Sequence, residues 1–184
     1  MNLKLLILGV ATLIFLAFIF MHGFGHDPHA VPFLLTGKQA PSFKLQYVDD
    51  ENKFASLADF AGKPLIINFW ATWCEPCQAE HPVLEWGYEH LHDRVQFAGV
   101  IYQDDIVQVR KFLRTQPTHI MQLFDPSGVT AVDYALAGVP ETYFISADGV
   151  IRYKHVGPID AETLITRGKQ LLENFTMVNS LEKR

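Results

Sequence analysis

The sequence predicts an α/β fold: a mixed sheet flanked by helices, with an N-terminal β-hairpin extension and one transmembrane helix ahead of it. Three observations carry that reading. Pro64–Trp70 and Val95–Tyr102 are continuous apolar runs of strand length, as expected of central strands covered on both faces. Helical stretches alternate with them, which implies a parallel crossover. Near the C-terminal end, two strand-like runs flank Asp148-Gly149, the strongest short hairpin signal, so the last two strands run antiparallel.

The first element is the run Leu5–Met21, which carries no charge and follows Lys4. At about 1.5 Å per residue it covers most of a hydrocarbon core of about 30 Å, and His22–Gly25 extends it to the interface. It is longer than a signal-peptide core of about 7–15 residues, and no small-x-small cleavage site follows closely. Residues 1–25 therefore read as a retained anchor. The positive charges at its start are Lys4 and the amino terminus, and the far flank has no Lys or Arg, so the N-terminus is expected in the cytoplasm and the rest outside. The outside compartment permits disulfide chemistry. Residues 26–37 read as a linker. His22, His26 and His29 are read as part of a solvated juxtamembrane stretch rather than a metal cluster.

Residues 38–176 read as one globular domain and 177–184 as a polar tail. Hydrophobic residues make up 49% and charged residues 19% of the 184, which supports a packed core rather than disorder. The net charge of -5 and the lack of a basic run argue against nucleic acid as a partner. Phe43, Leu45 and Tyr47 alternate up to the turn at Asp49–Asn52, which opens a hairpin. Ser56–Phe60 reads as a short helical turn ending at Gly62. A helix from about Cys74 to Leu91 follows the first central strand, with Pro82 expected to kink it. Ile106, Val109, Phe112 and Leu113 share one face of a helix that Asp104 or Asp105 can cap. Ile120–Asp125 reads as a short strand and Pro126–Tyr134 as a short helix. The last helix starts at Asp160, with Ala161, Leu164, Ile165, Gly168, Leu171, Leu172 and Phe175 on one stripe.

The chemistry concentrates at Phe69–Pro82, "FWATWCEPCQAEHP", which holds the chain's 2 cysteines, Cys74 and Cys77. A structural zinc site needs four ligands and one Cys-x-x-Cys supplies two; His81 could lie near, but no second cluster stands out. Covalent haem attachment needs His directly after the second cysteine, and Gln78 is there. A loop this small makes a weak structural staple. Thiol–disulfide exchange gains from the position, where a buried strand turns into a helix. Backbone N–H groups at a helix N-terminus stabilise a thiolate on Cys74, the more exposed of the two. Cys77, one turn on, can attack a mixed disulfide from inside, and Pro76 fits the first turn without needing an N–H partner.

"WCEPC" after "IINFWAT" resembles the thioredoxin superfamily. With "GVIYQDD", "GVPETYFI" and "DGVIRYKHVG", residues 38–176 look like one branch, the membrane-anchored thiol:disulfide interchange proteins of cytochrome c biogenesis (the CcmG/DsbE group). The extracytoplasmic reductases of the TlpA/ResA kind share much of the pattern. The resemblance implies a thioredoxin-like fold and a redox-active disulfide, Cys74–Cys77, with no cofactor. It implies a cis Val139-Pro140 bond facing Cys74; such a turn presents the Val139 backbone to an extended partner peptide. It also implies active-site roles for Glu80 and Glu141. The expected partners are an apocytochrome c, or an assembly protein holding its haem-binding cysteines, and an upstream membrane thiol reductase. The expected place is the bacterial inner membrane, single-pass, with the domain in the periplasm.

The acidic residues Glu75, Glu80 and Glu141 are expected to surround the pair. A carboxylate near a forming thiolate raises the thiol pKa, which moves the centre toward a reductant. Glu80 is a candidate proton acceptor for Cys77, while Glu75 reads more simply as a solvated first-turn acid. Trp70 is expected in packing, Trp73 as a contact surface, and Tyr102 and Asp104 along the same groove. Two rival readings stay open: a general reductase or oxidant of secreted proteins, and a non-catalytic module on the same scaffold.

Overall fold

The computed structural model of the chain describes residues 3–23 and 35–182. It divides into two units, Met1–Pro32 and Phe33–Arg184.

The first unit holds α1 (Leu3–Gly23), 21 residues long. Its described side chains, such as Leu13, Ile14 and Phe15, are exposed. Among the described residues no helix is long and apolar enough to cross a membrane. The side chains of Leu5, Leu6, Leu8 and Ile19–Gly23, which belong to the expected span, lie outside the described set, and so do His22, His26 and His29. Among the described residues no group of His, Cys, Asp and Glu is placed to hold a metal ion.

The second unit is built on one seven-stranded sheet of order β2-β1-β5-β4-β3-β6-β7. Its strands are β1 (Lys44–Tyr47), β2 (Phe54–Ser56), β3 (Leu65–Trp70), β4 (Gln96–Tyr102), β5 (Met121–Asp125), β6 (Glu141–Ile145) and β7 (Ile151–Val156). The helices are α2 (Glu75–Leu91), α3 (Ile106–Thr115), α4 (Val129–Asp133) and α5 (Ala161–Glu182), with a 3-10 turn at Leu57–Phe60. The sheet is mixed, as expected: β3, β4 and β5 are parallel, while β6 runs antiparallel to β3 and β7 to β6. β1 joins on the far side, antiparallel to β5, and carries the hairpin with β2. The hairpin is thus an extension that continues the sheet.

β3 lies at the centre, and all six of its residues are buried. Side chains alternate across a strand, so β3 divides the core. Leu65, Ile67 and Phe69 pack with Tyr134 and Tyr143 on one face. Ile66 packs with Leu84 and Leu91 of α2 and Leu164 and Leu171 of α5 on the other. Trp70, at the strand's end, packs with Ile101, Val109 of α3 and both cysteines.

α2 and α5 approach closely enough to need glycine twice. A Cβ on Gly87 of α2 would fall 2.3 Å from Leu164, and one on Gly168 of α5 would fall 2.6 Å from Leu91. Pro82 sits inside α2, which runs through it to Leu91. Of the two candidate caps for α3, Asp105 is the one used; its carboxylate accepts from Val107 N and Gln108 N. The turn between β6 and β7 puts Gly149 at φ +81°, where a side chain is strained. The backbone of α5 continues to Glu182, beyond the end expected near residue 176.

Candidate active site

The site forms where β3 ends. Ala71–Trp73 lead out of the sheet, and Cys74 becomes the N-cap of α2 in extended conformation. Its sulfur accepts a hydrogen bond from Cys77 N at 3.2 Å. Pro76 follows in the first turn, where its missing N–H costs nothing. Cys74 and Cys77 are joined as a disulfide with Cα atoms 5.3 Å apart. Cys74 is 5% exposed and Cys77 2%, so the order of access is as expected. Beside them Trp73 is 60% exposed.

Three elements surround this turn. Asp104 accepts from Thr72 N at 2.5 Å and from Thr72 Oγ1 at 3.0 Å. The Trp73 indole donates to Gln103 O at 3.3 Å and packs edge-on against Tyr102. Gln103 itself lies at φ +43°, an uncommon conformation for a residue with a side chain. Gln78 Nε2, from the first turn of α2, reaches back to Thr72 O at 2.6 Å. Tyr102 and Asp104 therefore belong to the site, Asp104 as the clasp of the loop before Cys74. The third element is the Val139-Pro140 segment ahead of β6. That bond is cis, and Val139 O lies 3.5 Å from Cys74 Sγ. A disulfide sulfur has no proton to give, so the approach is a contact rather than a hydrogen bond.

The carboxylates are arranged differently from the expectation. Glu80 is buried at 2% exposure. Its Oε1 accepts from Asn68 Nδ2 and its Oε2 from Ile159 N, both at 2.8 Å. Burial pushes its pKa up to about 7, against the pull of the Ile159 and Asn68 hydrogen bonds. Glu80 thus ties α2 to β3 and to the segment before α5. It stands one helical turn after Cys77, with both oxygens engaged elsewhere.

Glu141 lies on the other face of the sheet. It pairs with Lys154 Nζ at 2.8 Å, and accepts from Ala137 N and from Tyr143 OH, each at 3.1 Å. Lys154 also donates to Ala135 O at 3.0 Å and sits 5.2 Å from the Tyr143 ring centre. The expected crowd of three acids around the thiolate is therefore corrected. Glu75 is an exposed first-turn residue, Glu80 is held by neutral donors, and the charge of Glu141 is matched by a buried lysine. What remains beside Cys74 is the N-terminus of α2, which favours its thiolate.

The sequence reading missed Asn68, Ile159, Lys154 and Thr72. Asn68 carried a signal, as a lone amide inside the apolar run "LIINFW". Lys154 is one of the two buried positions of β7. Trp70 is buried as expected, with its ring tilted against Phe112 and its indole N–H donating to Gln122 Oε1 at 2.9 Å.

Three comparisons bear on this site. The Redoxin family model matches residues 35–169. A thiol:disulfide interchange protein DsbE of Vibrio cholerae is 34% identical over 167 residues, covering 88% of this chain and 89% of its own. Another DsbE, of Escherichia coli K12, is 33% identical over 155 residues, covering 83% of this chain and 82% of its own. Among solved structures, a thioredoxin-family thiol:disulfide interchange protein of Chlorobium tepidum aligns with TM-score 0.66 and 27% identity over 73% of this chain and 95% of its own.

Proposed function

The chain belongs to the Redoxin family, among the DsbE-type thiol:disulfide interchange proteins, and from that premise we propose that it is an extracytoplasmic reductase of apocytochrome c. It is a thiol:disulfide oxidoreductase with a thioredoxin-like fold; its redox group is the Cys74–Cys77 pair, and no cofactor is needed. The proposal adds the direction, the substrate and the place.

One observation carries the roles. Cys74 caps a helix and faces the Val139 carbonyl beside an exposed tryptophan, while Cys77 lies behind it in the first turn. Cys74 is then the attacking thiolate. It displaces one sulfur of the substrate disulfide and forms a mixed disulfide. The Cys77 thiolate attacks Cys74 Sγ, closes the pair and releases the substrate as a dithiol. Two electrons pass from the pair to the substrate, and an upstream membrane thiol reductase must return them, since that compartment is oxidising. An extended substrate lies along the Val139 backbone in the manner of strand addition, with Pro140 and Glu141 shaping the loop beneath it. The substrate's haem-binding Cys-x-x-Cys segment is proposed from the resemblance to the cytochrome c biogenesis branch.

The anchor is supported by the uncharged run Leu5–Met21 and by the helical backbone over Leu3–Gly23, 21 residues, which spans about 31 Å. It holds the domain at the periplasmic face of the inner membrane, with the N-terminus in the cytoplasm. The test is to express the full chain as Cys77→Ser and analyse its membranes without reductant. A reducible adduct is expected in the membrane fraction, with an apocytochrome or a cytochrome-assembly thiol protein in it. Adducts spread over many unrelated secreted proteins make the protein a general reductase instead. An adduct formed only by Cys74→Ser reverses the roles, and recovery of a soluble form starting near residues 22–30 removes the anchor.

A further inference from the structure

A cavity lies between α2 and the central strands, directly behind the second cysteine. Asn68 and Trp70 of β3, Cys77 and His81 of α2 and Gln122 of β5 line it, with aliphatic side chains between them. About 10 Å³ is open to the centre of a water-sized sphere, on the order of what one buried water requires. Gly99 of β4 forms part of the wall, and a Cβ there would meet Gln122 Oε1 at 2.3 Å. The side chain of Gln122 thus occupies the space over Gly99 and brings an amide to the cavity.

His81 follows Cys77 by four residues, so the two share one stripe of α2. Its ring is wedged between Trp70 and Phe112, with centroids 6.1 and 5.3 Å away. Nε2 is buried and has no hydrogen-bond partner in the protein. The backbone of Gln116 and Pro117 lies beside the ring and favours its protonated form. An imidazole that donates from Nδ1 to a carbonyl carries its lone pair on Nε2. A buried acceptor left without a partner is costly, and a cavity of this size offers the means to satisfy it.

We propose that His81 is the proton acceptor of the Cys77 thiol, acting through one water held in this cavity. The inference rests on Cys77 being the resolving thiol. In the resolving step the Cys77 S–H gives its proton to the water, and the water gives one to His81 Nε2. The Cys77 thiolate attacks Cys74 Sγ; the new S–S bond closes the pair and the bond from Cys74 to the substrate sulfur breaks. The substrate leaves as a thiolate and takes a proton from solvent. His81 gives its extra proton back to solvent once the pair has closed, which balances the proton the substrate thiolate took up. No further oxidant or reductant enters.

Burial holds the His81 pKa below its ordinary 6.5, with hydrogen bonds to Gln116 and Pro117 and the charge of Glu85 pulling the other way. The imidazole is therefore neutral and ready to accept at neutral pH. The other titratable groups around it are accounted for. Glu85, one turn on, is held by Thr118 and His119. Glu80, the adjacent residue, is turned to Asn68 and Ile159 and does not line the cavity. From α3, β3 and β5 the packed side chains are Phe112, Trp70 and Gln122, none of which titrates.

The test uses the full chain in mild detergent, with glutathione joined to Cys74 as a mixed disulfide and Cys77 free. Release of glutathione against pH is expected to show an inflection at the His81 titration. In His81→Gln the inflection vanishes and release at pH 7 slows by about tenfold or more, in line with general-base catalysis. A second measurement needs no substitution: the Nε2 nitrogen resonance of His81 should titrate with a different midpoint in the reduced and oxidised protein. A His81→Gln profile that superimposes on the unsubstituted one overturns the proposal. So does a resonance indifferent to the redox state, or loss of the inflection in Glu80→Gln alone. Titration of Cys77 in the Cys74→Ser variant, with and without His81→Gln, reports the coupling directly. Failure of the Cys77→Ser chain to trap a partner overturns the resolving role and with it this proposal, whereas superimposed Cys77 titrations with and without His81→Gln overturn the coupling alone.

Discussion

The two faces of the sheet bury one glutamate each near the same end, and they hold it in opposite ways. Glu80, on the α2 and α5 face, has two neutral donors, an amide N–H₂ and a backbone N–H. Glu141, on the Tyr134 and Tyr143 face, has a full positive charge at 2.8 Å as well as two neutral donors. Both are buried, at 2% and 0% exposure. Burial alone therefore does not decide what a carboxylate does. Neutral donors leave Glu80 able to change charge near neutrality, with its pKa at about 7. The lysine makes Glu141 half of a structural pair that orders the loop before Pro140, since Lys154 also holds Ala135 O and Glu141 holds Ala137 N.

The largest effect expected from this contrast is on the paired side. Lys154→Met strands the Glu141 charge in the core and should cost about 3–5 kcal/mol of stability in denaturant unfolding. Adding Glu141→Gln to that variant should restore most of the loss, because the stranded charge goes with it. A loss unchanged by the second substitution would mean that Lys154 acts through packing.

The next effect belongs to Glu80. Its folded pKa of about 7 lies above the ordinary 4.5. The folded state therefore keeps a proton that the unfolded chain gives up, and stability falls as pH rises between those two values. Each pH unit across that window removes about 1.4 kcal/mol, roughly 3 kcal/mol in all. Below 4.5 the contribution is fully present, and above 7 it is gone. In Glu80→Gln the slope over this window should disappear, as unfolding at a series of pH values would show. A slope that survives assigns the proton to another group.

The smallest effect sharpens the same point. Asn68→Ala removes one neutral donor from Glu80 and should cost about 1–2 kcal/mol. It should also carry the upper end of the pH window above 7, because the lost hydrogen bond favoured the ionised form. A window that moves down would show that Asn68 stabilises the protonated acid.

Much of this was legible in the sequence for a physical reason. The central strands are continuous apolar runs, and the cysteines sit at a strand-to-helix turn, so local pattern sufficed for β3, β4, α2 and the placement of the cysteine pair. The carboxylates were not legible in the same way. Glu141 follows Pro140 directly, yet the alternation of β6 sends its side chain to the face away from Glu80. Its partner Lys154 comes from the next strand, and the Glu80 partner Ile159 lies 79 residues along the chain. Which polar groups meet across a core depends on sheet order and strand parity, which no window of sequence contains. Asp105 and Asp104 show the same limit on a smaller scale: either could cap α3, and the tertiary clasp on Thr72 reserved Asp104 for the cysteine loop.

The paired glycines between α2 and α5 have a reach beyond packing. Leu164 occupies the space over Gly87, and Leu91 the space over Gly168, so the two helices are keyed to a single sliding position. That position also fixes where the chain just before α5 delivers its Ile159 N–H to Glu80. A slip of one helical turn, about 5.4 Å, would carry the donor out of range of the acid. The proton affinity of Glu80, one turn from a redox cysteine, is thus calibrated by two residues that bear no side chain.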